Sequence, residues 1–157
     1  WGESVEKMPI EAWQKVMDVN VTGTFLMSKA VGQQMIQNGY GKIINIGSIA
    51  GIRAESAKVL NAIGYSTSKA AVHHFTRDLA KKWAEHGITV NAIAPGFFET
   101  KMAKEVIRKN REAILEQTPI GKIGDVDSLK GTALFLASKA SDFVTGQIIA
   151  VDGGSAL

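Results

Sequence analysis

The chain has 157 residues, of which 45% are hydrophobic and 21% are charged, and its formal net charge is +3 at pH 7. This composition indicates a folded globular domain with a core, and the absence of cysteine excludes disulfides and thiolate metal sites. The basic residues are spread along the chain, and no apolar run approaches the length of a membrane span. We therefore expect no nucleic-acid partner, no membrane partner and a cytoplasmic location.

A helical apolar rhythm predicts one long first helix over residues 10–38. Pro9 suits the start of a helix, and Asn38-Gly39 suits its end. Gly23 lies inside this helix, where glycine is unfavourable. It therefore indicates either a distortion of the helix or a close approach of another backbone.

Strands and helices alternate along the rest of the chain. Strands are predicted at residues 42–47, 88–94 and 147–152, and helices at residues 65–86, 100–117 and 126–138. Asp125 is the expected N-cap of the last helix. This order predicts an α/β fold with a doubly wound parallel sheet of the Rossmann type and helices on both faces. The first helix lacks a preceding strand, so we expect that the amino-terminal βαβ units are missing.

Polar side chains gather where the predicted strands end, which is the ligand-binding edge of an open parallel sheet. Ser48 follows the first strand, and Pro95-Gly96 ends the second. Tyr65 and Lys69 begin the helix between them and share one helix face, because they are four residues apart. An ammonium beside a phenol favours the phenolate and so suits proton transfer. Alone, such a pair is usually an accident of helical spacing.

Two other site types fit the sequence poorly. The three histidines lack acidic partners at ligand spacing, so we interpret them as structural or surface residues and predict no metal site. Residues 47–51 have glycine at each end but serine second, whereas the esterase motif needs serine third.

Several short motifs occur in the order in which one family carries them. They are residues 18–23, which contain Asn20, residues 46–51, which contain Ser48, the Tyr-x-x-x-Lys motif at residues 65–69, residues 91–96, which end in Pro95-Gly96, Thr100, and the ending at residues 151–154. With these motifs the chain resembles the short-chain dehydrogenase/reductase superfamily over essentially its whole length. The most similar members are the 3-oxoacyl-acyl-carrier-protein reductases and the gluconate 5-dehydrogenases.

The resemblance implies an NAD(P)-dependent oxidoreductase that interconverts a ketone and a secondary alcohol, with residues 1–157 as the carboxyl-terminal catalytic portion of one domain. Tyr65 would be the acid/base, Ser48 would bind the substrate oxygen, Lys69 would assist Tyr65 and hold the ribose, and Asn20 would position a water. The implied cofactor-binding residues are Tyr65, Lys69, Pro95, Gly96 and Thr100.

The chain departs from the family pattern in three respects. The glycine-rich phosphate loop is absent, and so is the Asn-Asn-Ala-Gly segment expected just before residue 1. The residue that selects the cofactor belongs to the same missing part, so NADP and NAD both remain open as the cofactor. The interval between Ser48 and Tyr65 is about four residues longer than usual, which predicts an enlarged loop at residues 53–63 beside the substrate. Residues 97–117 correspond to the family's substrate lid and mix apolar side chains, including Met102, with basic ones.

Two hypotheses of different classes follow from the resemblance. The first is the oxidoreductase, acting on a small-molecule carbonyl or alcohol such as a 3-oxoacyl thioester or a sugar or polyol. The second is a non-catalytic fragment that packs or oligomerises, because it lacks the cofactor-binding half. In either case the resemblance implies a homodimer or homotetramer, because the two long helices form the dimer interface in the relatives and the last strand makes a second contact.

Overall fold

The computed structural model describes residues 2–101 and 103–157 and consists of a central parallel sheet covered by helices. The sheet has three strands in the order β1 (Gly41–Ile46), β2 (Ile88–Pro95) and β3 (Ile148–Val151). The helices are α1 (Ile10–Met17), α2 (Gly23–Asn38), α3 (Ile63–Trp83), α4 (Lys104–Glu116) and α5 (Asp127–Ala137). The predicted order of elements and the parallel pairing are confirmed. Trp1 and Met102 lie outside the described residues, as do the expectations attached to them.

The predicted first helix is interrupted. A π-helical turn, Asp18–Thr22, separates α1 from α2, and Gly23 is the first residue after it. A Cβ added at Gly23 would meet only the Asp18 carbonyl oxygen at 3.6 Å, which is an ordinary contact. The glycine therefore accompanies a distortion of the helix and not a close approach. Single π turns inside α-helices are frequent at functional sites.

Several predicted boundaries are wrong by a few residues. The helix α3 begins at Ile63, so Tyr65 lies within its first turn. The helix α4 begins at Lys104, so Thr100 lies in the loop before it. The N-cap of α5 is Val126 and not the expected Asp125, but the Asp125 side chain still caps the first turn, because the Ser128 N–H donates to Asp125 Oδ1 at 2.8 Å.

The central strand of the sheet, β2, is buried on both faces. Val90 to Ala94 on β2 are all buried, although successive side chains of a strand point to opposite faces. On one face, Leu79 and Ala80 of α3 pack with Ile88 and Val90. The helix α5 contacts all three strands, and it buries Leu136. Within residues 2–101 and 103–157, no helix combines the length and apolar character needed to cross a membrane.

Candidate active site

Tyr65 and Lys69 lie together at the carboxyl end of β1. The Lys69 ammonium is 5.6 Å from the centroid of the Tyr65 ring. The same ammonium donates a hydrogen bond of 2.8 Å to the carbonyl oxygen of Ile46, the last residue of β1. The predicted adjacency of the two side chains on one helix face is therefore confirmed. The Ile46 contact also ties that face to the end of the strand.

Burial makes Lys69 easier to deprotonate than a surface lysine. Removal of the ammonium from water lowers the pKa of Lys69 below its usual value. A lysine in this state holds its proton less tightly, which suits a group that passes protons to and from its neighbours.

Ser48 begins the short turn that follows β1. It precedes a 3₁₀ turn, Ile49–Gly51, and its hydroxyl oxygen accepts a hydrogen bond of 3.2 Å from the Ala50 N–H. This bond uses the hydroxyl as an acceptor and leaves its hydrogen for another group. The side chain is nearly buried.

Asn20 is joined to α3 through Ser68. The Asn20 side-chain amide donates to Ser68 Oγ at 2.9 Å, and this hydroxyl donates to the Tyr65 carbonyl oxygen at 2.7 Å. Ser68 is fully buried. The π turn that carries Asn20 is thus fixed to the first turn of the helix that carries Tyr65. Asn20 is thus joined to the start of α3 near Tyr65, whereas Lys69 and Ser48 lie at the carboxyl end of β1.

Pro95 ends β2, and Gly96 and Thr100 follow it on the same edge. The Gly96 N–H donates to the Val151 carbonyl oxygen at 3.1 Å, and a Cβ at Gly96 would lie 2.8 Å from the Cβ of Asp152. Packing against β3 therefore requires glycine at this position. Thr100 is exposed, and its hydroxyl oxygen accepts from the Ala103 N–H at 3.1 Å.

His73 contacts the site although the sequence analysis gave it no functional part. The ring is buried, with 4% of the residue exposed, and its Nε2 accepts a hydrogen bond of 3.4 Å from the Ser48 N–H. The sequence feature that could have identified His73 as a site residue is its position eight residues after Tyr65, about two helical turns along the same face. The other two histidines are partly or largely exposed. Among the described residues, no three His, Asp or Glu side chains are grouped so that they could hold a metal ion.

The predicted enlarged loop reaches the end of α4. Arg53 forms an ion pair of 2.7 Å with Glu55 and donates to the Gln117 side-chain oxygen at 3.1 Å. Arg53 thereby links the segment after Ser48 to the segment that corresponds to the family's lid.

Comparison with known proteins identifies the family. A family model described as enoyl-(acyl carrier protein) reductase matches residues 1–156. The chain is 43% identical over 154 residues to the 2-dehydro-3-deoxy-D-gluconate 5-dehydrogenase of Bacillus subtilis, with 97% of the chain covered. It is 42% identical over 149 residues to the 3-oxoacyl-[acyl-carrier-protein] reductase of Synechocystis, with 94% covered. The chain belongs to the short-chain dehydrogenase/reductase family.

A solved structure supports the same assignment. The gluconate 5-dehydrogenase from Burkholderia cenocepacia, in complex with NADP and tartrate, matches 99% of this chain with a TM-score of 0.93 and 38% identity. The predicted Rossmann-type α/β fold is confirmed by this match. The chain spans 59% and 58% of the two curated relatives and 60% of this structure.

Proposed function

We propose that the chain is the catalytic portion of an NAD(P)-dependent oxidoreductase that interconverts a ketone and a secondary alcohol. The Tyr65–Lys69 pair carries this proposal. The Lys69 ammonium lies 5.6 Å from the centroid of the Tyr65 ring and donates to the last carbonyl of β1, two residues before Ser48. A phenol, a hydroxyl and a cation at one sheet edge suit the transfer of a proton to or from a carbonyl oxygen.

The residues at this edge fit the nicotinamide half of a dinucleotide. Lys69 offers a partly buried cation, and Thr100 offers a hydroxyl whose hydrogen can still be donated, since its bond with Ala103 uses only the oxygen. Lys69 and Tyr65 would hold the ribose hydroxyls, and Pro95, Gly96 and Thr100 would border the nicotinamide. When bound, the dinucleotide supplies or accepts the hydride at the substrate carbon.

Each polar side chain has a distinct part in the proposed reaction. The Tyr65 phenol exchanges a proton with the substrate oxygen, while the Ser48 hydroxyl donates a hydrogen bond to that oxygen. Lys69 supplies positive charge next to Tyr65 and takes part in replacing the proton. Asn20, fixed to α3 through Ser68, holds a water that connects Lys69 with solvent.

The substrate would be a small carbonyl compound of one of two kinds. One relative is a sugar-acid dehydrogenase and another is a 3-oxoacyl thioester reductase, so both kinds are candidates. Two of the arginines near α4 are paired with acids, since Arg108 lies 2.8 Å from Glu105 and Arg111 lies 3.7 Å from Glu99. These pairs favour a solvated surface for both arginines over a role in binding an acidic substrate or carrier.

We further propose that the chain assembles as a homodimer or homotetramer. Large apolar side chains of α2 are exposed, among them Phe25 at 48% and Leu26 at 54%. A groove between α2 and α3 is lined in part by Phe25, Phe75 and Trp83. The same apolar surface would also serve the alternative function, a non-catalytic segment that packs or oligomerises. Cofactor binding, which only the oxidoreductase requires, therefore distinguishes the two functions.

The test uses the protein expressed from its complete reading frame. It is titrated with NADH and NADPH, and its turnover is measured with keto sugar acids and with an acetoacetyl thioester. Tyr65→Phe should lower kcat by roughly 10²–10⁴-fold, because it removes the transferable proton, and it should leave cofactor affinity within a few-fold of the unmodified protein.

Tyr40→Phe is the matched control. Its hydroxyl donates to Asp142 Oδ1 at 3.2 Å at the opposite end of β1, so turnover should stay unchanged. A fully active Tyr65→Phe protein would contradict the role given to this tyrosine. If neither cofactor binds at millimolar concentration, the packing function is favoured instead.

A further inference from the structure

We propose that His73 is a positioning residue that holds the turn carrying Ser48 at a fixed place relative to Tyr65 and Lys69. This inference rests on the proposed function, because its purpose is to align the hydroxyl with the phenol. His73 itself makes no contact with substrate or cofactor in this proposal.

The first argument is the placement of three side chains along one helix. Tyr65, Lys69 and His73 follow one another at intervals of four residues within α3, which runs without interruption from Ile63 to Trp83. Residues at this spacing lie on one face, one turn apart. A segment held by His73 is therefore held at a fixed position relative to Tyr65, because both residues belong to one continuous helix.

The second argument is what the imidazole contacts. Its Nε2 accepts the Ser48 N–H at 3.4 Å, and the ring also packs against Gly51, where an added Cβ would lie 3.0 Å from His73 Cε1. Ser48 precedes the 3₁₀ turn and Gly51 is its last residue, so the ring contacts the turn at both ends and bonds it to α3 at Ser48. An Nε2 that accepts requires the ring proton on Nδ1.

The third argument is steric and independent of hydrogen bonding. A Cβ added at Gly47 would lie 2.1 Å from His73 Nε2, and one added at Gly51 would lie 2.6 Å from the Lys69 carbonyl carbon. Neither glycine has a positive φ, so backbone conformation does not require glycine at either position. Both glycines are instead needed because the chain on each side of Ser48 is pressed against α3 and the His73 ring.

The charge state of His73 is consistent with an acceptor. Burial lowers its pKa, and the positive charges of Arg77 and Lys69 lower it further, while the polar backbone of Gly51 acts in the opposite direction. The ring is therefore neutral at and above neutral pH. A protonated ring would have no lone pair for the Ser48 N–H.

Two variants separate positioning from packing. In His73→Gln the side-chain amide can still accept from the Ser48 N–H, whereas His73→Leu fills a similar volume without any acceptor. In protein from the complete reading frame, His73→Leu should lower kcat by roughly 10–100-fold with little change in cofactor affinity, since small misplacements of reacting groups have effects of this size. His73→Gln should recover most of that loss. His74→Leu, at an exposed position on the same helix, should leave kcat unchanged.

A spectroscopic measurement tests the contact without activity. In protein with ¹⁵N-labelled histidine, NMR should show a neutral His73 ring with its proton on Nδ1, and the Ser48 amide should be protected from hydrogen exchange. A proton on Nε2 would overturn the proposal, as would wild-type kcat in a folded His73→Leu protein. If His73→Leu does not fold, the proposal is tested by the tautomer of His73 in the unmodified protein and by the kcat of His73→Gln, which should stay close to that of the unmodified protein. If the unmodified protein shows no turnover, the proposed function fails, while the tautomer still tests the contact.

Discussion

Replacement of Gly47 by alanine probes the contact between α3 and the Ser48 turn with a single methyl group. Gly47 lies between β1 and Ser48, its N–H donates to the Ile93 carbonyl oxygen at 2.7 Å, and its φ is not positive. Alanine can therefore adopt the backbone conformation found there. Any destabilisation by the substitution therefore comes from the space that the new methyl group occupies.

The size of the effect follows from the distances. The added Cβ would lie 2.1 Å from His73 Nε2 and 2.6 Å from Cδ2. Non-bonded atoms prefer about 3.5 Å, so the ring or the strand end must move by roughly 1.4 Å. That movement takes the Ser48–His73 hydrogen bond out of range. Overpacking of this kind costs about 1–3 kcal/mol, and the lost hydrogen bond costs about 1 kcal/mol, so we expect a destabilisation of ~2–4 kcal/mol.

A double-mutant cycle in urea denaturation tests this origin. Gly47→Ala, His73→Ala and the double variant are compared with the unmodified protein. Once the ring is removed, the methyl group enters the space it leaves, so Gly47→Ala should cost less than ~1 kcal/mol in the His73→Ala background. The coupling energy should therefore be at least ~1 kcal/mol. Costs that simply add, or a Gly47→Ala protein within ~0.5 kcal/mol of the unmodified one, would refute the reasoning.

Two further predictions concern packing and pH. Gly32 in α2 and Gly131 in α5 are both helical, but a Cβ at Gly32 would lie 2.2 Å from the Trp83 ring, whereas nothing lies within 4 Å of one at Gly131. Gly32→Ala should therefore lower the free energy of unfolding by ~1–2 kcal/mol and Gly131→Ala should raise it by ~0.5–1 kcal/mol, as urea denaturation can show; equal effects would contradict the close approach of α2 and α3. For the pH prediction, the pKa of His73 is lowered in the folded state, so the unfolded chain binds more protons as the pH falls below about 6.5. The unmodified protein should lose more stability than His73→Gln between pH 7.5 and the folded-state pKa of this histidine, and parallel losses would contradict the burial of a neutral ring.

Local patterns in the sequence were enough to predict the order of strands and helices and three residues of the candidate site, Ser48, Tyr65 and Lys69. The order of strands and helices follows from apolar periodicity, and the adjacency of Tyr65 and Lys69 follows from helical spacing alone. Ser48 was found because it follows a strand that the periodicity identifies. These features depend on residues that are close together in the chain.

The remaining features depend on how distant segments rotate and approach each other. Periodicity does not fix the rotation of α3 about its axis closely enough to direct His73 at the Ser48 N–H, 25 residues away. The bond from Asn20 to Ser68 spans 48 residues and depends on the π turn, whose position the sequence indicated only through Gly23. The link from Arg53 to Gln117 joins an irregular loop to a helix end 64 residues on, where periodicity carries no information.

The four proposed catalytic residues of the candidate site either belong to α3 or are bonded to it. Tyr65 and Lys69 belong to α3, Asn20 is held against it through Ser68, and the Ser48 turn is held against it through His73. The relative placement of these groups therefore depends on how tightly α3 packs against the sheet and against α2. The carboxyl-terminal end of α3 packs against α2, because the Trp83 ring occupies the space that a Cβ of Gly32 would need. The same end packs against the sheet through the cluster of Leu79, Ala80, Ile88 and Val90. Because one rigid element is common to every contact, a shift of α3 moves Tyr65 and Lys69 together, and their spacing is the part of the site least sensitive to distant substitutions. The alignment of Ser48 with that pair depends on the His73 contact, so it is the part that a displaced α3 would disturb first.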